Sequence, residues 1–307
     1  MVRGVQGMKK VSNKIKIGMS ERAFDIFNVV FMIALMIVMF YPMWHVLCAS
    51  FSDAKLFSAH TGILLKPTGF SLTAYKLMLN NPMILRGYAN TIFVLVFGLA
   101  LNMVMTSIAA FVLSRKNVFW RKPLTIFVVF TMYFSGGMIP SYLNIVDLGL
   151  LDSLWAIIIP GAISTYNMII MRTAFASVPD SLEESAKLDG ASELRIMWQI
   201  IIPLSKATMA VICLYYAVTH WNSWFNAMLY INDRNKFPLQ LILREILIQN
   251  DTSSMVTAMD VGAGDSSFVS ETVKYAVIIV SVVPILCVYP FIQKYFTKGV
   301  MIGAVKG

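Results

Sequence analysis

The sequence predicts an all-α integral membrane protein with six transmembrane helices. Of its 307 residues, 58% are hydrophobic and only 13% are charged, whereas an average soluble domain carries roughly 25% charged residues. The apolar residues gather in six runs, each near the roughly 20 residues that a helix needs to cross the hydrocarbon core. The basic residues form short clusters between these runs. The formal charge of +9 therefore indicates membrane topology and not a nucleic-acid surface.

The six spans follow a basic N-terminal tail, residues 1–23, whose charges are six lysines and arginines and one glutamate. A polar segment rich in turn residues, 51–87, separates the first two spans and is too polar to cross a membrane. The spans are placed at 24–48, 88–113, 123–143, 154–174, 204–230 and 275–296, and together they form one transmembrane domain, 24–296.

Two spans carry helix breakers. Gly136, Gly137 and Pro140 predict that the outer end of the third span is bent or broken, and Pro160 with Gly161 predicts a kink in the fourth.

The lysines and arginines predict which side of the membrane each loop faces. Seventeen of the 25 lie in the N-terminal tail, the connection between spans two and three, residues 172–206 and the C-terminal stretch. By the positive-inside rule these segments face the cytoplasm, together with both termini and the C-terminal tail 297–307. The connection between spans three and four carries Asp147 and Asp152 and no basic residue, as expected of an outside loop.

A long outside segment, residues 231–274, precedes the sixth span. Within it, apolar residues recur at helical spacing and predict an amphipathic helix at the interface or against the spans: Leu239, Ile242, Leu243, Ile246 and Leu247. The rest of the segment is polar and suits a docking surface, and a flexible connector is the alternative.

A charged insert, residues 179–203, interrupts the chain between spans four and five, within a loop that runs from 176 to 206. Its acidic residues predict the first turn of a helix, where negative charge suits the helix dipole, and Lys187 follows Glu183 at i+4. Gly190 suits a left-handed helix end, and Ser192 suits the cap of a second helix that runs into Pro203. Two helices joined by a turn can fit a cleft on a partner protein; a solvated loop with ordinary helix punctuation is the alternative.

The sequence offers no motif for catalysis. It has no G-x-x-x-x-G-K-[ST] phosphate loop, so the chain is not itself predicted to hydrolyse ATP. His45, His60 and His220 are isolated in sequence, which disfavours a metal site. Cys48, Cys213 and Cys287 lie in or beside apolar runs without C-x-x-C spacing and are interpreted as packing residues. We predict no catalytic and no metal-binding residue.

Polar side chains inside the spans are the remaining candidates for function, because they are costly in lipid and favour a water-filled cavity. Amides beside aromatic rings suit sugars, whose C–H faces stack on rings while their hydroxyls hydrogen-bond. The candidate substrate-pathway residues are Tyr166, Asn167, His220, Trp221, Asn222, Trp224 and Asn226. Hydrogen bonding between helices is the alternative for each of them, and interface anchoring is the alternative for the two tryptophans.

The insert carries Glu184, Ser185 and Ala186, then Gly190 after three residues, then Ile200 to Pro203 after nine more. This order resembles the E-A-A-x3-G-x9-I-x-L-P coupling loop of ABC importer permeases, with Ser185 in place of an Ala and Ile202 in place of Leu. Other stretches resemble maltose-permease-like carbohydrate permeases, in the branch paired with lipoprotein binding proteins for complex oligosaccharides: SGGMIPSYL at 135–143, LWAIIIPGAIS at 154–164, WNSWFNA at 221–227, FPLQ at 237–240 and KGVMIGAVKG at the end of the chain.

The resemblance implies a MetI-like permease in a bacterial inner membrane, paired with a second, homologous permease. Two ATP-binding subunits, which would bind ATP and magnesium, and an external solute-binding lipoprotein would complete the importer. The C-terminal tail could reach the ATPase. The family's ATPase-coupling residues would be Glu183, Glu184, Ser185, Ala186, Asp189, Gly190, Ile200 and Pro203.

Two other functions stay open at this point. A stand-alone ion-coupled transporter should carry ionised residues deep in its spans, and the sequence shows none beyond the span edges. A non-transporting membrane scaffold or sensor is the other alternative.

Overall fold

The chain folds into helices that pack around one long central helix. The computed structural model describes residues 18–248, 271–287 and 290, and over these ranges the only strand-like pairing is an isolated bridge between Ser52 and Phe70. The helices are α1 (Met19–Ser50), α2 (Ala54–Ser58), α3 (Thr73–Asn80), α4 (Pro82–Ser114), α5 (Arg121–Tyr133), α6 (Met138–Asp147), α7 (Trp155–Ile158), α8 (Thr165–Ala176), α9 (Asp180–Leu188), α10 (Glu193–Ile196), α11 (Ile202–Leu204), α12 (Lys206–Trp221), α13 (Trp224–Tyr230), α14 (Leu239–Ile248) and α15 (271–287).

Two unbroken helices of the described chain are long and apolar enough to cross a membrane, α1 with 32 residues and α4 with 33. At 1.5 Å per residue each exceeds the roughly 30 Å hydrocarbon core. Two bent pairs also qualify by length and composition: α5 with α6, bent by 112°, and the helix Glu193–Leu204 with α12, bent by 88°. The count of six spans stays a prediction.

The helices differ from the predicted spans mainly at their ends. α1 begins at Met19, five residues before the predicted start of the first span, and α4 begins at Pro82, six residues before that of the second. α15 is already helical at residue 271, four residues before the predicted start of the sixth span. Residues 1–17 of the basic tail, 249–270 of the outside segment, 288–289 and 291–296 of the sixth span and the tail 297–307 lie outside the described residues.

The predicted breaks in the third and fourth spans are confirmed. α5 ends at Tyr133 and α6 begins after Gly137, whose φ of +92° places it in a region that favours glycine. In the fourth span a 3₁₀ turn, Ile159–Gly161, follows α7, and three further residues precede α8. Each of these two spans is therefore a pair of shorter helices.

A further irregularity lies where the insert meets the fifth span. Between α10 and α11 the chain forms a π turn, Met197–Ile201. Pro203 has no N–H for the carbonyl four residues earlier, and its ring crowds that carbonyl, so the wider turn accommodates it. The chain then bends at Ser205 into α12.

The central helix, α4, packs against α8, α12 and α14. Its buried face recurs every three or four residues, as one side of a helix must: Ile84, Gly87, Thr91, Val94, Gly98, Asn102 and Thr106. Gly87 lets α14 approach, because a Cβ there would lie 3.2 Å from the Leu239 Cα. Gly98 does the same for the ring of His220, which a Cβ would meet at 2.6 Å.

The predicted amphipathic helix of the outside segment is confirmed as α14. Leu239, Ile242, Leu243 and Ile246 are buried against α4 and its neighbours, whereas Leu247 is 36% exposed. The helix therefore packs on the spans.

The connection between α13 and α14 is fixed by Asp152, from the loop before α7. Its carboxylate accepts hydrogen bonds at 3.0 Å from the backbone N–H groups of Asn232 and Asp233 and from Lys236 Nζ. The N–H of Asp233 and the ammonium of Lys236 hold the pKa of Asp152 below its ordinary value.

Candidate functional site

The insert folds as predicted, into two helices joined by a tight turn. α9 ends in a Schellman motif: the Ala191 N–H donates to the Ala186 carbonyl at 2.9 Å, and the Gly190 N–H donates to the Lys187 carbonyl at 3.0 Å. Gly190 has a φ of +78°, and a Cβ there would touch nothing within 4 Å. The predicted cap is also confirmed, since Ser192 Oγ accepts from the Arg195 N–H at 3.4 Å.

An ion-pair network ties the insert to the rest of the bundle. The Arg115 guanidinium pairs with the Glu183 carboxylate, and the two side chains are each 11% exposed. Lys187 Nζ lies 2.8 Å from Glu183 Oε1, the predicted i+4 pair, and 2.8 Å from Glu193 Oε1. Lys187 therefore also bridges the two helices of the insert.

Arg115 connects three elements. It follows α4, its guanidinium lies 5.2 Å from the Phe111 ring centre, and it donates to the Phe175 carbonyl of α8 at 2.8 Å. Through Glu183 it also contacts α9. The insert is thus held rigidly to α4 and α8.

The charges of the network shift each other's pKa values. Burial raises the pKa of Glu183, and the hydrogen bonds from Lys187 and Arg115 lower it by more, so the pKa lies below its ordinary 4.5. The hydrogen bonds to Glu183 and Glu193 raise the pKa of Lys187. Both groups are therefore ionised at neutral pH, and the network is intact.

The outward face of the insert is apolar as well as charged. Leu188 is 90% exposed, Leu194 64% and Trp198 52%. Among the predicted coupling residues, Glu184, Ser185, Asp189, Gly190 and Pro203 are exposed, Ala186 and Ile200 are partly buried against the bundle, and Glu183 is buried. Glu183 thus holds the insert in place and is not on its outward face.

A cavity of about 370 Å³ with a mixed polar and apolar wall opens at the break before α8. The break between α12 and α13, within the predicted fifth span, lies at the same cavity. Four of the predicted pathway residues line it: Asn167, His220, Asn222 and Asn226. Ser164, Tyr216 and Thr219 add hydroxyl groups, and Ile157, Ile163 and Phe225 add apolar surface. The wall therefore combines amide, hydroxyl and aromatic groups.

Side chains from α4 and α12 satisfy the backbone at the break before α8. Asn102 Nδ2 donates to the carbonyls of Gly161 and Ala162 at 2.5 and 3.0 Å. Its Oδ1 must then accept, so His220 Nε2, 2.5 Å away, carries the proton. The Tyr216 hydroxyl accepts from the Ser164 N–H at 2.9 Å and bonds to Thr106 at 2.7 Å.

The other three predicted pathway residues lie elsewhere. Trp221 is 8% exposed and packs in the core with its ring 6.4 Å from that of Tyr88. Trp224 stacks under the Arg244 guanidinium at 4.9 Å and does not line the cavity. Tyr166 is 55% exposed and lines a neighbouring open depression with Asn167 and Thr219.

The sequence of this chain matches a protein-family model over residues 10–302, and the family is described as the binding-protein-dependent transport system inner membrane component. The chain belongs to this family. The resemblance seen in the coupling-loop motif is thereby confirmed, and so is the membrane as the location of the protein.

Two proteins are similar to this chain over almost its whole length. It is 44% identical over 294 residues to the polygalacturonan/rhamnogalacturonan transport system permease protein YtcP of Bacillus subtilis (strain 168), covering 94% of this chain and 100% of the relative. It is 42% identical over 288 residues to the protein LplC of the same organism, covering 93% and 96%.

A solved structure confirms the MetI-like permease fold of this family member. It is a bacterial ABC transporter involved in the import of the acidic polysaccharide alginate. The match has a TM-score of 0.83 and 34% identity, and it covers 91% of this chain and 98% of the other.

Sequence reasoning did not predict Arg115 or Tyr216 as site residues, and it identified Asn102 only as a polar residue inside a span, without its partner. Arg115 contacts Glu183, 68 positions later in the chain. Asn102 contacts His220, 118 positions later. Tyr216 had a detectable signal, since it lies one helical turn before His220 on α12 and shares its face. Arg115 had none beyond its place in a basic cluster.

Proposed function

We propose that this chain is the permease subunit of an ATP-driven, binding-protein-dependent importer for an oligosaccharide. A second, homologous permease, two ATP-binding subunits and an external solute-binding lipoprotein would be its partners. ATP and magnesium would bind to the separate ATPase subunits, and this chain would perform no catalysis. Both termini and the insert would face the cytoplasm.

The observation that carries the proposal is the rigid insert with its exposed apolar face. Leu188 and Leu194 are exposed on an otherwise charged surface, while the buried pair of Arg115 and Glu183 fixes the same element to α4. Apolar side chains on a polar surface mark a contact with another protein. An ATPase that moves against this face would therefore move α4, whose Asn102 is hydrogen-bonded to Gly161 and His220 in the wall of the cavity.

The cavity supports sugar as the cargo. Amides and hydroxyls at the cavity can exchange hydrogen bonds with sugar hydroxyls, and Phe225 offers an apolar ring. Two of the similar proteins are named for polysaccharides, one of them an acidic polysaccharide. No carboxylate is among the residues that line the cavity in the described chain, so an acidic sugar would meet no repulsion there. We infer an acidic oligosaccharide as the cargo class.

The experiment uses the assembled complex in vesicles, with ATPase activity measured with and without the binding protein and sugar. Gly190→Val places a β-branched residue at a positive φ in the insert, which costs about 1–2 kcal/mol and changes the angle between α9 and α10. The expected result is a loss of sugar-stimulated ATPase activity.

Gly149→Val is the matched control. Gly149 has a φ of +66°, ends α6 with the same pair of hydrogen bonds, and has nothing within 4 Å of its Cβ position. It carries the same strain outside the insert, so stimulation should survive there. Full stimulation in Gly190→Val would contradict the coupling role, and uptake by this chain without any ATPase would favour a stand-alone transporter.

The cargo class has its own test. An oligogalacturonate and a neutral oligosaccharide of the same length are compared as stimulators of the wild-type complex. Stimulation by the neutral sugar alone would overturn the acidic class while leaving the transport function intact.

A further inference from the structure

A second cavity, of about 440 Å³, lies at the C-terminal end of α4, beside the insert. It is formed by the loop after α4, the first turn of α5, the end of α8 and the inner side of α9. The charged residues that line it are five basic and three acidic: Arg115, Lys116, Arg121, Arg172, Lys187, Asp180, Glu183 and Glu184.

Ion pairs within the chain use only some of these charges. Glu183 pairs with Arg115 and Lys187, and Asp180 Oδ2 lies 2.6 Å from Lys116 Nζ. Arg121 and Arg172 have no acidic partner among the described residues, and Arg172 uses only its Nε, toward the Leu113 carbonyl at 3.0 Å. Two guanidinium groups therefore line the cavity with hydrogen-bond donors to spare, which is the arrangement that binds a phosphate.

An apolar groove begins beside this cavity. Lys122, the neighbour of Arg121, stands at its head, and Pro123, Ile126, Phe127 and Phe130 continue it along the outer face of α5 for a volume of about 590 Å³. The last three are 55–70% exposed. This shallow groove runs for about two helical turns from Lys122 to Phe130. An apolar surface headed by a cation suits a lipid acyl chain below its headgroup.

The loop before α5 places this end of the helix at the membrane interface. Phe119 is 90% exposed and Trp120 62%, and basic residues stand on both sides of the pair. Exposed aromatic rings among lysines and arginines are typical of the headgroup level of a bilayer.

We propose that this cavity and groove bind one anionic phospholipid, with its phosphate on Arg121 and Arg172 and an acyl chain along α5. Basic pockets between transmembrane helices are known headgroup sites. The bound lipid would lie against the inner side of α9 and would buttress the insert from the bilayer. Phosphatidylglycerol, with a net negative charge, complements the excess of basic residues, whereas zwitterionic phosphatidylcholine does not.

The test measures lipid retention by native mass spectrometry of the assembled complex, purified from vesicles of phosphatidylcholine with phosphatidylglycerol. We expect selective retention of phosphatidylglycerol, weakened about fivefold by Arg121→Gln and about 25-fold by Arg121→Gln with Arg172→Gln. Arg172 also donates to the Leu113 carbonyl, so the double variant could lose lipid because its fold loosens. In that case the single variant Arg121→Gln alone tests the lipid site.

The control is Lys206→Gln, which removes one exposed positive charge near the insert but outside the cavity and should leave retention unchanged. Equal retention of phosphatidylcholine, or equal loss in Lys206→Gln, would overturn the proposal. Displacement of the lipid by inorganic phosphate alone would show a free-anion site instead.

A photo-crosslinking residue at Phe127 tests the groove. Labelling of lipid supports the proposal, and labelling of the second permease would show that the groove is a protein interface. Because the readout is bound lipid and not transport, its outcome is independent of the proposed import function.

Discussion

Removal of Arg115 should release the insert from the bundle. Arg115→Met keeps an unbranched apolar stem but removes the guanidinium. Among the described residues the Glu183 carboxylate then has Lys187 as its only cation, and the Phe175 carbonyl loses its donor. The expected result is local unfolding of α9, because this guanidinium joins the buried Glu183 of α9 to the end of α4 and to the Phe175 carbonyl of α8.

The free-energy cost of Arg115→Met follows from the burial of the Arg115–Glu183 ion pair. Breaking a buried ion pair by removing one partner costs about 3–5 kcal/mol. Both side chains are 11% exposed and Glu183 keeps Lys187, so we take the lower end, about 3 kcal/mol. This corresponds to opening of α9 that is about 150-fold more frequent.

Hydrogen–deuterium exchange of the α9 amides in the purified complex measures this opening directly. Lys116→Met is the matched control, since it removes the adjacent cation from the pair with Asp180, whose side chains are 74% and 56% exposed. Such a pair is worth at most about 1 kcal/mol. Equal exchange in the two variants, or an Arg115 effect below about fivefold, would refute the reasoning.

Three further predictions follow from the same contacts. Lowering the pH should release α9. The folded pKa of Glu183 lies below its ordinary 4.5, so its stabilisation is present above pH 4.5 and is lost as the pH falls through the folded value. Protection of the α9 amides, corrected for the intrinsic pH dependence of exchange, should fall below pH 4.5, and protection that never falls there would contradict this. Tyr216→Phe should lower the stability of the complex by about 1–3 kcal/mol, because it leaves the Ser164 N–H without its acceptor. Tyr166→Phe, which changes an exposed ring, should have little effect. Thermal unfolding of the complex in detergent compares the two variants. Gly98→Ala should displace the His220 ring, because the new Cβ would lie 2.6 Å from it, and should lower the stability of the complex by about 1–3 kcal/mol. Gly161→Ala, whose Cβ would have nothing within 4 Å, should be nearly neutral. Thermal unfolding and sugar-stimulated ATPase activity check both variants, and equal unfolding temperatures would contradict the packing argument.

Local features of the structure could be predicted from the sequence because their causes are local. The apolar spacing from Leu239 to Ile246 predicts α14, Gly190 predicts the turn, and Gly137 and Pro160 predict the broken spans. In each case a residue or a period of a few positions decides the backbone.

The candidate site was predictable only in part, because its geometry depends on contacts between distant segments. Glu183 was predicted as an ATPase-coupling residue, but its burial could not be predicted, because it depends on Arg115, from a loop 68 positions earlier. Trp221 has an aromatic ring that could stack on a sugar, but its position on α12 directs this ring into the core against Tyr88. Composition identifies residue types suited to sugar, and only tertiary packing decides which of them reach the cavity.

The proposed importer requires that the insert contact a separate ATPase. Leu188→Cys places a thiol on the most exposed apolar position of the insert, and a short bifunctional crosslinker in the assembled complex measures which subunit lies beside it. We predict a crosslink to an ATP-binding subunit, with a yield that changes between the ATP-bound and nucleotide-free states. A crosslink only to the external binding protein, or labelling of this cysteine from outside intact cells, would contradict the account.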